Sequence, residues 1–166
     1  MTNRNVLRRA RAFATAQTTR LNVPPLGFGD DGTVWESLRH TVIKAFYRRK
    51  NYAHELECYQ RLKSAGIRKV REFEVPELIR YDDSLMVIEM GFVSPPYILD
   101  FGKAHLHDPR WEPHILEEWN ERMAEWWGED AKQVRLALAA LKRYGIWYYD
   151  AKPGNVLLDS GIAERD

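Results

Sequence analysis

The sequence contains one cysteine, no long apolar run and almost no excess of either charge, and each shortage excludes a class of protein. Cys58 has no second cysteine to pair with, so we expect a protein of a reducing compartment, the cytoplasm. No stretch approaches the roughly 18 apolar residues of a transmembrane helix, so no membrane span is predicted. The net charge of +1 argues against a nucleic-acid partner, because nucleic-acid-binding proteins usually carry a large basic excess.

The charges are nevertheless unevenly distributed, because residues 1–29 contain five arginines and no acid. Such a segment could be a targeting or phosphate-seeking tail. We favour a basic helix that lies on the body of the protein, since solvated basic helices are common. Pro24 and Pro25 would end this helix. Residues 1–26 are therefore treated as a basic N-terminal segment.

The remaining sequence changes from strand-like to helix-like patterns near residue 91. The patterns predict strands over 33–37 and 40–46, which form a hairpin, and further strands over 75–80 and 85–88. Between the two pairs they predict a helix over 51–65, with Asn51 as its N-cap and Gly66 as its stop. Two more helices are predicted to begin at Asp108 and at Asp130, the second with a variant of the capping box at Gln133. The predicted class is α+β, with an antiparallel sheet in residues 27–91 and a helical region in residues 92–166.

A glycine-rich stretch precedes the predicted hairpin. Gly27, Gly29, Gly32 and Val34 fit the pattern G-x-G-x-x-G-x-V. Glycines at these spacings let backbone amides approach phosphate oxygens without a Cβ in the way. Extended residues follow the stretch, whereas a dinucleotide-binding loop would open a helix. An ordinary glycine turn explains the pattern equally well.

Two charged residues are predicted to lie on buried faces. Lys44 shares a strand face with Val42 and Phe46 by the period of two. Glu55 lies on the apolar stripe of the predicted helix, whereas Glu57 lies on its polar face. An ion pair between Lys44 and Glu55 would satisfy both groups. A lysine that extends to solvent and a half-exposed acid are the alternative.

A polar loop follows the last predicted helix and leads into an apolar strand. Asp150, Lys152, Pro153 and Asn155 occupy the spacing of the loop that is written H-R-D-L-K-P-x-N. A plain Asp-Pro-Gly loop is the alternative. The segment resembles the catalytic loop of the protein-kinase superfamily, and the preceding motifs occur in the order that kinases show.

The resemblance implies a protein-kinase-like fold with one helix in a nucleotide-binding N-lobe, residues 27–91, and a small, truncated helical C-lobe, residues 92–166. Gly27, Gly29, Gly32 and Val34 would then cover the phosphates of ATP. By the same resemblance, Lys44 would hold the α- and β-phosphates, Glu55 would orient Lys44, and backbone groups of Glu89, Met90 and Gly91 would receive adenine.

The resemblance also assigns roles in the second region. Asp150 would accept the proton of the acceptor hydroxyl, and Lys152 would steady the transferred phosphoryl group. Asn155 would bind Mg²⁺. A second metal ligand should lie about a dozen residues later, at the end of a short hairpin with the strand after Asn155, and Asp166 is the residue that this spacing selects.

The sequence departs from the kinase pattern in two places. Tyr148 and Tyr149 stand where the histidine and arginine usually stand, so regulation by a phosphorylated activation loop is not expected. The triplet from Asp100 to Gly102 reads Asp-Phe-Gly, but it precedes the loop of Asp150, whereas the metal-binding triplet of kinases follows that loop. We interpret the triplet as a coincidence, with a ribose contact by Asp100 as a possibility that rests on analogy.

The expected function is therefore ATP-dependent transfer of a phosphoryl group to an unknown hydroxyl-bearing acceptor. The small bacterial sugar, lipid or antibiotic kinases, and lipopolysaccharide kinases among them, are the nearest match, since no peptide-binding helices are predicted. A catalytically weak or inactive nucleotide-binding scaffold of the same fold is the first alternative. An interaction domain that binds no nucleotide is the second.

Overall fold

The computed structural model describes residues 3–158, and the chain divides into two compact units. The first comprises Met1–Gly66 and Pro76–Phe92, and the second comprises Ile67–Val75 and Val93–Asp166. The N-terminal segment, which the sequence suggested as separate, is thus part of the first unit. Ile67–Val75 joins the second unit, although the sequence suggested the first.

Both units combine helices with strands, so the predicted α+β class is confirmed. In chain order the elements are α1 (Asn3–Ala16), β1 (Gly27–Phe28), β2 (Gly32–Glu36), β3 (Thr41–Phe46), α2 (Arg49–Ser64), β4 (Lys69–Val70), β5 (Phe73–Glu74), β6 (Leu78–Asp82), β7 (Val87–Gly91), β8 (Tyr97–Ile98), α3 (Pro113–Trp127), α4 (Ala131–Leu141) and β9 (Val156–Leu157).

The first unit is built on a five-stranded antiparallel sheet in the order β1-β2-β3-β7-β6. The predicted hairpin is confirmed, because β2 and β3 pair in register from Gly32 opposite Phe46 to Glu36 opposite Val42. Since side chains alternate between the two faces of a strand, Ile43 and Ala45 point to one face of β3, and Lys44 and Phe46 to the other.

Helix α1 covers the Ile43 face of this sheet, as expected for a basic helix that lies on the body. Its apolar residues recur at helical spacing and form one buried cluster with the strands: Val6, Ala10, Phe13 and Ala14 from the helix, and Trp35, Ile43, Ala45 and Val87 from the sheet. Arg9 lies on the same side of the helix and is buried. Its guanidinium donates to the backbone oxygens of Leu85 and Phe46.

Helix α2 packs on the Lys44 face of the sheet. Its buried residues are Tyr52, Glu55, Leu56, Cys58, Tyr59 and Leu62, the stripe that the sequence predicts together with Cys58. The helix begins at Arg49 with Arg48 as N-cap, so the prediction of Asn51 as N-cap is wrong. Gly66, with φ +68°, follows the C-cap residue Ala65 and ends the helix as predicted.

The predicted strands over 75–80 and 85–88 are displaced toward the C-terminus. The second of them begins late because a turn extends through Met86, which has a left-handed φ of 52°. Asp82 stabilises the turn by accepting hydrogen bonds from the Ser84 hydroxyl at 2.6 Å and the Leu85 amide at 2.8 Å. These two bonds lower the pKa of the Asp82 carboxyl. The apolar run at 85–88 is therefore half turn and half strand.

The second unit contains a four-stranded sheet in the order β4-β5-β8-β9 beside its helices, and in residues 92–158 the sequence had indicated only the strand after Asn155, which is β9. The helix expected from Asp108 begins at Pro113, because the Asp108 carboxylate accepts from the Arg110 amide in a separate turn. Helix α4 begins at Ala131 as expected, but Asp130 makes no side-chain cap bond. The predicted capping box is therefore not formed.

Within residues 3–158, no helix combines the length and the apolar character that crossing a bilayer requires.

Replacing the buried Arg9 with leucine should lower the free energy of unfolding by about 1–3 kcal/mol, because two carbonyl groups lose their donor inside the protein. The matched control is Arg11→Leu at an exposed position of the same helix, with an expected change within about 0.5 kcal/mol. Urea unfolding followed by circular dichroism measures both. Equal effects of the two substitutions would contradict the assigned role of Arg9.

Candidate functional site

The first unit contains a buried ion pair between a strand and a helix. The ammonium of Lys44 on β3 donates to the Glu55 carboxylate on α2, with 2.7 Å between Nζ and Oε2. The two side chains are only 8% and 1% exposed. Glu57, which the sequence assigned to the polar face, is exposed and pairs with Arg61 at 2.5 Å. Helix and strand periodicity therefore identified the correct acid.

The neighbours of Lys44 within the sheet are apolar or aromatic side chains. Val34 and Ile88 lie opposite Lys44 on the two neighbouring strands. The Phe46 ring lies 4.9 Å from the ammonium, an attractive cation–π distance. Apolar neighbours surround the lysine, and the Glu55 carboxylate is one of its partners.

The glycine stretch forms the hairpin of β1 and β2, and its three glycines differ in what they do. A Cβ on Gly32 would lie 2.4 Å from the Ala45 oxygen, so the close approach of β2 and β3 requires this glycine. A Cβ on Gly27 or Gly29 would meet nothing within 4 Å. The fold therefore requires a glycine at position 32, whereas positions 27 and 29 have space for a larger side chain.

The turn of this hairpin is tied to the start of α2. The Asn51 side chain donates to the Asp31 carboxylate, and the Tyr47 backbone amide donates to the backbone oxygen of Asp31 at 2.9 Å. The Gly29 amide donates to the Gly32 oxygen at 3.0 Å within the turn. Asp30, an exposed acid, lies in the same turn.

Glu89, Met90 and Gly91, selected as adenine contacts, lie in β7, which is paired on both edges. The Glu89 carboxylate is buried, accepts from the Thr41 hydroxyl at 2.6 Å and pairs with Arg80 at 3.0 Å. The Gly91 amide donates to the Glu77 oxygen at 2.9 Å. The sheet itself therefore uses these backbone groups, which the sequence could not indicate.

The second unit holds the loop of residues 145–155, whose centre is Asp150. The Asn155 amide nitrogen Nδ2 donates to the Asp150 backbone oxygen at 2.9 Å and to Asp150 Oδ2 at 3.2 Å. Asp150 is 24% exposed, and Lys152 Nζ lies 3.9 Å from its Oδ2. Asp150, Lys152 and Asn155 are thus brought together as the motif predicts.

Lys103 is a member of this cluster that the sequence analysis did not identify. Its Nζ lies 3.7 Å from Asp150 Oδ2, so two ammonium groups flank the carboxylate. The backbones of His105 and Trp147 exchange two hydrogen bonds, at 2.7 and 2.8 Å, and this pairing places the Lys103 segment beside the loop. The paired residues are 42 positions apart in the sequence, and no local sequence pattern predicts their pairing.

Two tryptophans of α3 hold the loop on either side of Asp150. Trp119 Nε1 donates to the Tyr149 oxygen, and Trp127 Nε1 donates to the Ala151 oxygen, each at 2.9 Å. Both indoles are half-buried and position the loop backbone through hydrogen bonds.

Tyr148 and Tyr149, which replace the expected histidine and arginine, also have structural roles. The Tyr148 hydroxyl donates to the Leu99 oxygen at 2.9 Å, and its ring packs against Phe101 at 5.5 Å between centroids. Tyr149 packs against Trp111 at 4.4 Å. Phe101 of the Asp-Phe-Gly triplet therefore packs against the loop of Asp150.

Asp166, the predicted second metal ligand, lies outside the described residues. Among residues 3–158 no group of three or more His, Cys, Asp or Glu side chains is arranged to hold a metal ion. Since Asn155 Nδ2 is committed to Asp150, the Asn155 oxygen is the atom of that amide that can bind a cation.

No protein-family model matches the chain, and no curated protein matches it at a significant level.

The glycines of the hairpin should respond differently to alanine. Gly32→Ala forces a Cβ against a strand backbone and should lower the free energy of unfolding by about 1–3 kcal/mol. Gly29→Ala meets no atom and should leave stability within about 0.5 kcal/mol or raise it slightly. Thermal unfolding of the two variants makes the comparison. Equal losses at both positions would show that Gly29 is also required by the fold.

Breaking the buried ion pair on one side should be costly. Lys44→Met leaves the Glu55 carboxylate buried without its ammonium and should lower the free energy of unfolding by about 3–5 kcal/mol. The double variant Lys44→Met with Glu55→Leu should recover most of this loss. The matched control, Glu57→Gln in the exposed pair of the same helix, should change stability by less than about 1 kcal/mol. Urea unfolding of the unmodified chain and these three variants makes the comparison, and no recovery in the double variant would contradict the assignment.

Proposed function

We propose that the chain is an ATP-dependent phosphotransferase of the protein-kinase-like superfamily that acts on the hydroxyl of a small molecule, such as a sugar or lipid. The observation that carries the proposal is the buried Lys44–Glu55 ion pair. A buried pair is often less stabilising than apolar residues of the same size, so stability alone gives little reason to keep one. Holding an ammonium at a fixed point for a phosphate does give a reason.

The hairpin and the loop support the same proposal. Open space at Gly27 and Gly29 suits a phosphate chain that approaches the backbone closely. The loop presents a carboxylate, an amide oxygen and ammonium groups, which are the groups that phosphoryl transfer uses. The order of these parts along the chain is also that of kinases, which favours a kinase-like fold over an unrelated α+β fold.

In this proposal Lys44 binds the α- and β-phosphates of ATP, and Glu55 keeps the Lys44 ammonium in position. A base bound by backbone groups would contact residues after Gly91, since the sheet uses the Gly91 amide. When bound, Mg²⁺ neutralises phosphate charge, and Asn155 would contribute its side-chain oxygen to that ion.

The hydroxyl oxygen of the acceptor forms a bond to the γ-phosphorus, and the bond between that phosphorus and the bridging oxygen of ADP breaks. Asp150 accepts the proton that the hydroxyl loses. Asn155 orients Asp150 through its Nδ2 donor. Lys103 and Lys152 lie where they can stabilise negative charge on the transferred group.

The proposal predicts that ATP binding and transfer can be separated by mutation. Asp150→Asn should reduce phosphoryl transfer about 10²- to 10⁴-fold, because the proton acceptor is lost. It should keep the thermal stabilisation by ATP and Mg²⁺, because the phosphates are held elsewhere. The matched control is Asp130→Asn, an exposed acid of the same unit that makes no cap bond. Transfer of labelled phosphate to a panel of sugars, lipids and aminoglycosides measures the first effect, and a thermal shift the second.

The alternatives correspond to distinct outcomes of this experiment. ATP stabilisation without any labelled product across the panel would favour a nucleotide-binding scaffold. Calorimetry that shows no heat with millimolar ATP and Mg²⁺ would favour an interaction domain. Transfer that survives both Asp150→Asn and the Lys44→Met, Glu55→Leu double variant would remove the proposal.

A further inference from the structure

The second unit has an open cleft around which cationic side chains converge. The cleft has a volume of about 320 Å³ and lies where β4 and the turn after it meet α4 and the 3-10 turn that follows this helix. Small-molecule sites in proteins have volumes of roughly 300–1,000 Å³, so the cleft can hold a small ligand. The charged residues that line it are Lys69, Arg71 and Arg143, and none of the acids in residues 3–158 lines it.

The other side chains of the cleft are apolar or aromatic. Leu136, Ala139 and Ala140 recur at helical spacing on one face of α4, and Val70 of β4 lies with them. Leu136 is 43% exposed, so this apolar surface is open to solvent. Tyr144, in the turn after α4, adds a half-buried ring with a hydroxyl. A molecule in the cleft would therefore contact both apolar surface and cations.

Internal contacts explain only part of this charge. Lys69 Nζ lies 3.8 Å from Glu74 Oε1. Arg71 Nε lies 3.8 Å from Glu72 Oε2, and both distances are too long for hydrogen bonds. Ion pairs as exposed as these contribute little to stability. Arg143 follows α4, where the negative end of the helix dipole favours a cation. The helix end thus accounts for one cation of the cleft and not for the two that β4 and its turn bring to it.

The backbone of Arg71 supports a role for its side chain. β4 and β5 form a hairpin in which Val70 pairs with Phe73, so Arg71 is the first of two turn residues. Its φ of 56° lies in the left-handed region, where glycine and asparagine are favoured and an arginine is uncommon. The turn itself therefore gives no reason for an arginine, whereas a ligand that contacts the guanidinium does.

We propose that this cleft binds an organic phosphate. Lys69, Arg71 and Arg143 hold the phosphate group, and Leu136 and Tyr144 contact the organic group. A guanidinium donates paired hydrogen bonds to a phosphate, and an ammonium adds a point charge. A cleft lined by charges of one sign also raises the local concentration of the opposite ion. None of these residues takes part in the proposed phosphoryl transfer, so the inference is independent of the proposed function.

Soluble organic phosphates and the headgroups of phospholipids carry the same chemical group, and the experiment uses a probe for each. Phenyl phosphate is the soluble probe, and vesicles of phosphatidylcholine with or without phosphatidic acid are the lipid probe. Titration of the full ¹⁵N-labelled chain with phenyl phosphate gives the affinity and the location. The largest amide shifts are expected in residues 69–72 and 139–144. Sedimentation with the two kinds of vesicle measures lipid binding.

The cleft variant combines Arg71→Asn with Arg143→Gln. Asparagine is favoured at a left-handed position, so the variant should unfold at the same temperature as the unmodified chain or higher. Its affinity for phenyl phosphate should fall about tenfold or more, because two charged donors to the phosphate are lost. The matched control combines Arg122→Gln with Lys132→Gln, which removes the same charge from exposed positions of α3 and α4 outside the cleft. Its affinity should stay within about twofold.

A second control separates the cleft from the proposed nucleotide site, which would also attract a phosphate. The Lys44→Met, Glu55→Leu double variant lacks the ion pair of the first unit, and its shifts in residues 69–72 and 139–144 should equal those of the unmodified chain. Loss of these shifts in the double variant would assign phenyl phosphate to the first unit and overturn the proposal, without bearing on phosphoryl transfer.

The remaining outcomes are distinct. Saturable binding of phenyl phosphate that the cleft variant loses and the matched control keeps supports a soluble organic phosphate. Sedimentation only with phosphatidic acid vesicles, lost and kept in the same two variants, supports a lipid headgroup. Equal weakening in the cleft variant and the matched control would show a response to net charge alone and would overturn the proposal, as would the absence of binding with both probes.

Discussion

The ion pair between Lys44 and Glu55 is the constraint on which the first unit depends. Two opposite charges inside a protein attract strongly, but each has given up its hydration, so either one alone would destabilise the fold. The pair therefore ties β3 to α2 at a set distance. The glycine hairpin joins the same framework, because Asn51 near the start of α2 holds Asp31 in the turn. Helix, sheet and hairpin thus share one geometry.

The second unit achieves a comparable rigidity with hydrogen bonds to backbone. The loop around Asp150 is irregular, and its carbonyl groups would lack partners without side chains that reach them. Asn155 and the two indoles of α3 supply these partners, and the Phe101 ring packs beneath the loop against Tyr148. These contacts position the Asp150 carboxylate on an irregular loop.

Much of this arrangement follows from the sequence, because periodicity alone decides which face a side chain occupies. The period of two placed Lys44, and the period of 3.6 separated Glu55 from Glu57. Residues that meet through tertiary pairing could not be found in this way. Lys103 reaches Asp150 only because β8 and the segment after it run beside the loop, and nothing local encodes that pairing. The predicted start of one strand was also wrong, because Met86, a residue with left-handed φ, prolongs the preceding turn.

The indole bonds of Trp119 and Trp127 have a spectroscopic consequence. Each ring donates to a carbonyl next to Asp150, so a rearrangement of this loop would change the polarity around these rings. Indole emission shifts with local polarity. These two of the six tryptophans would therefore contribute an optical signal of the loop's rearrangement without any label.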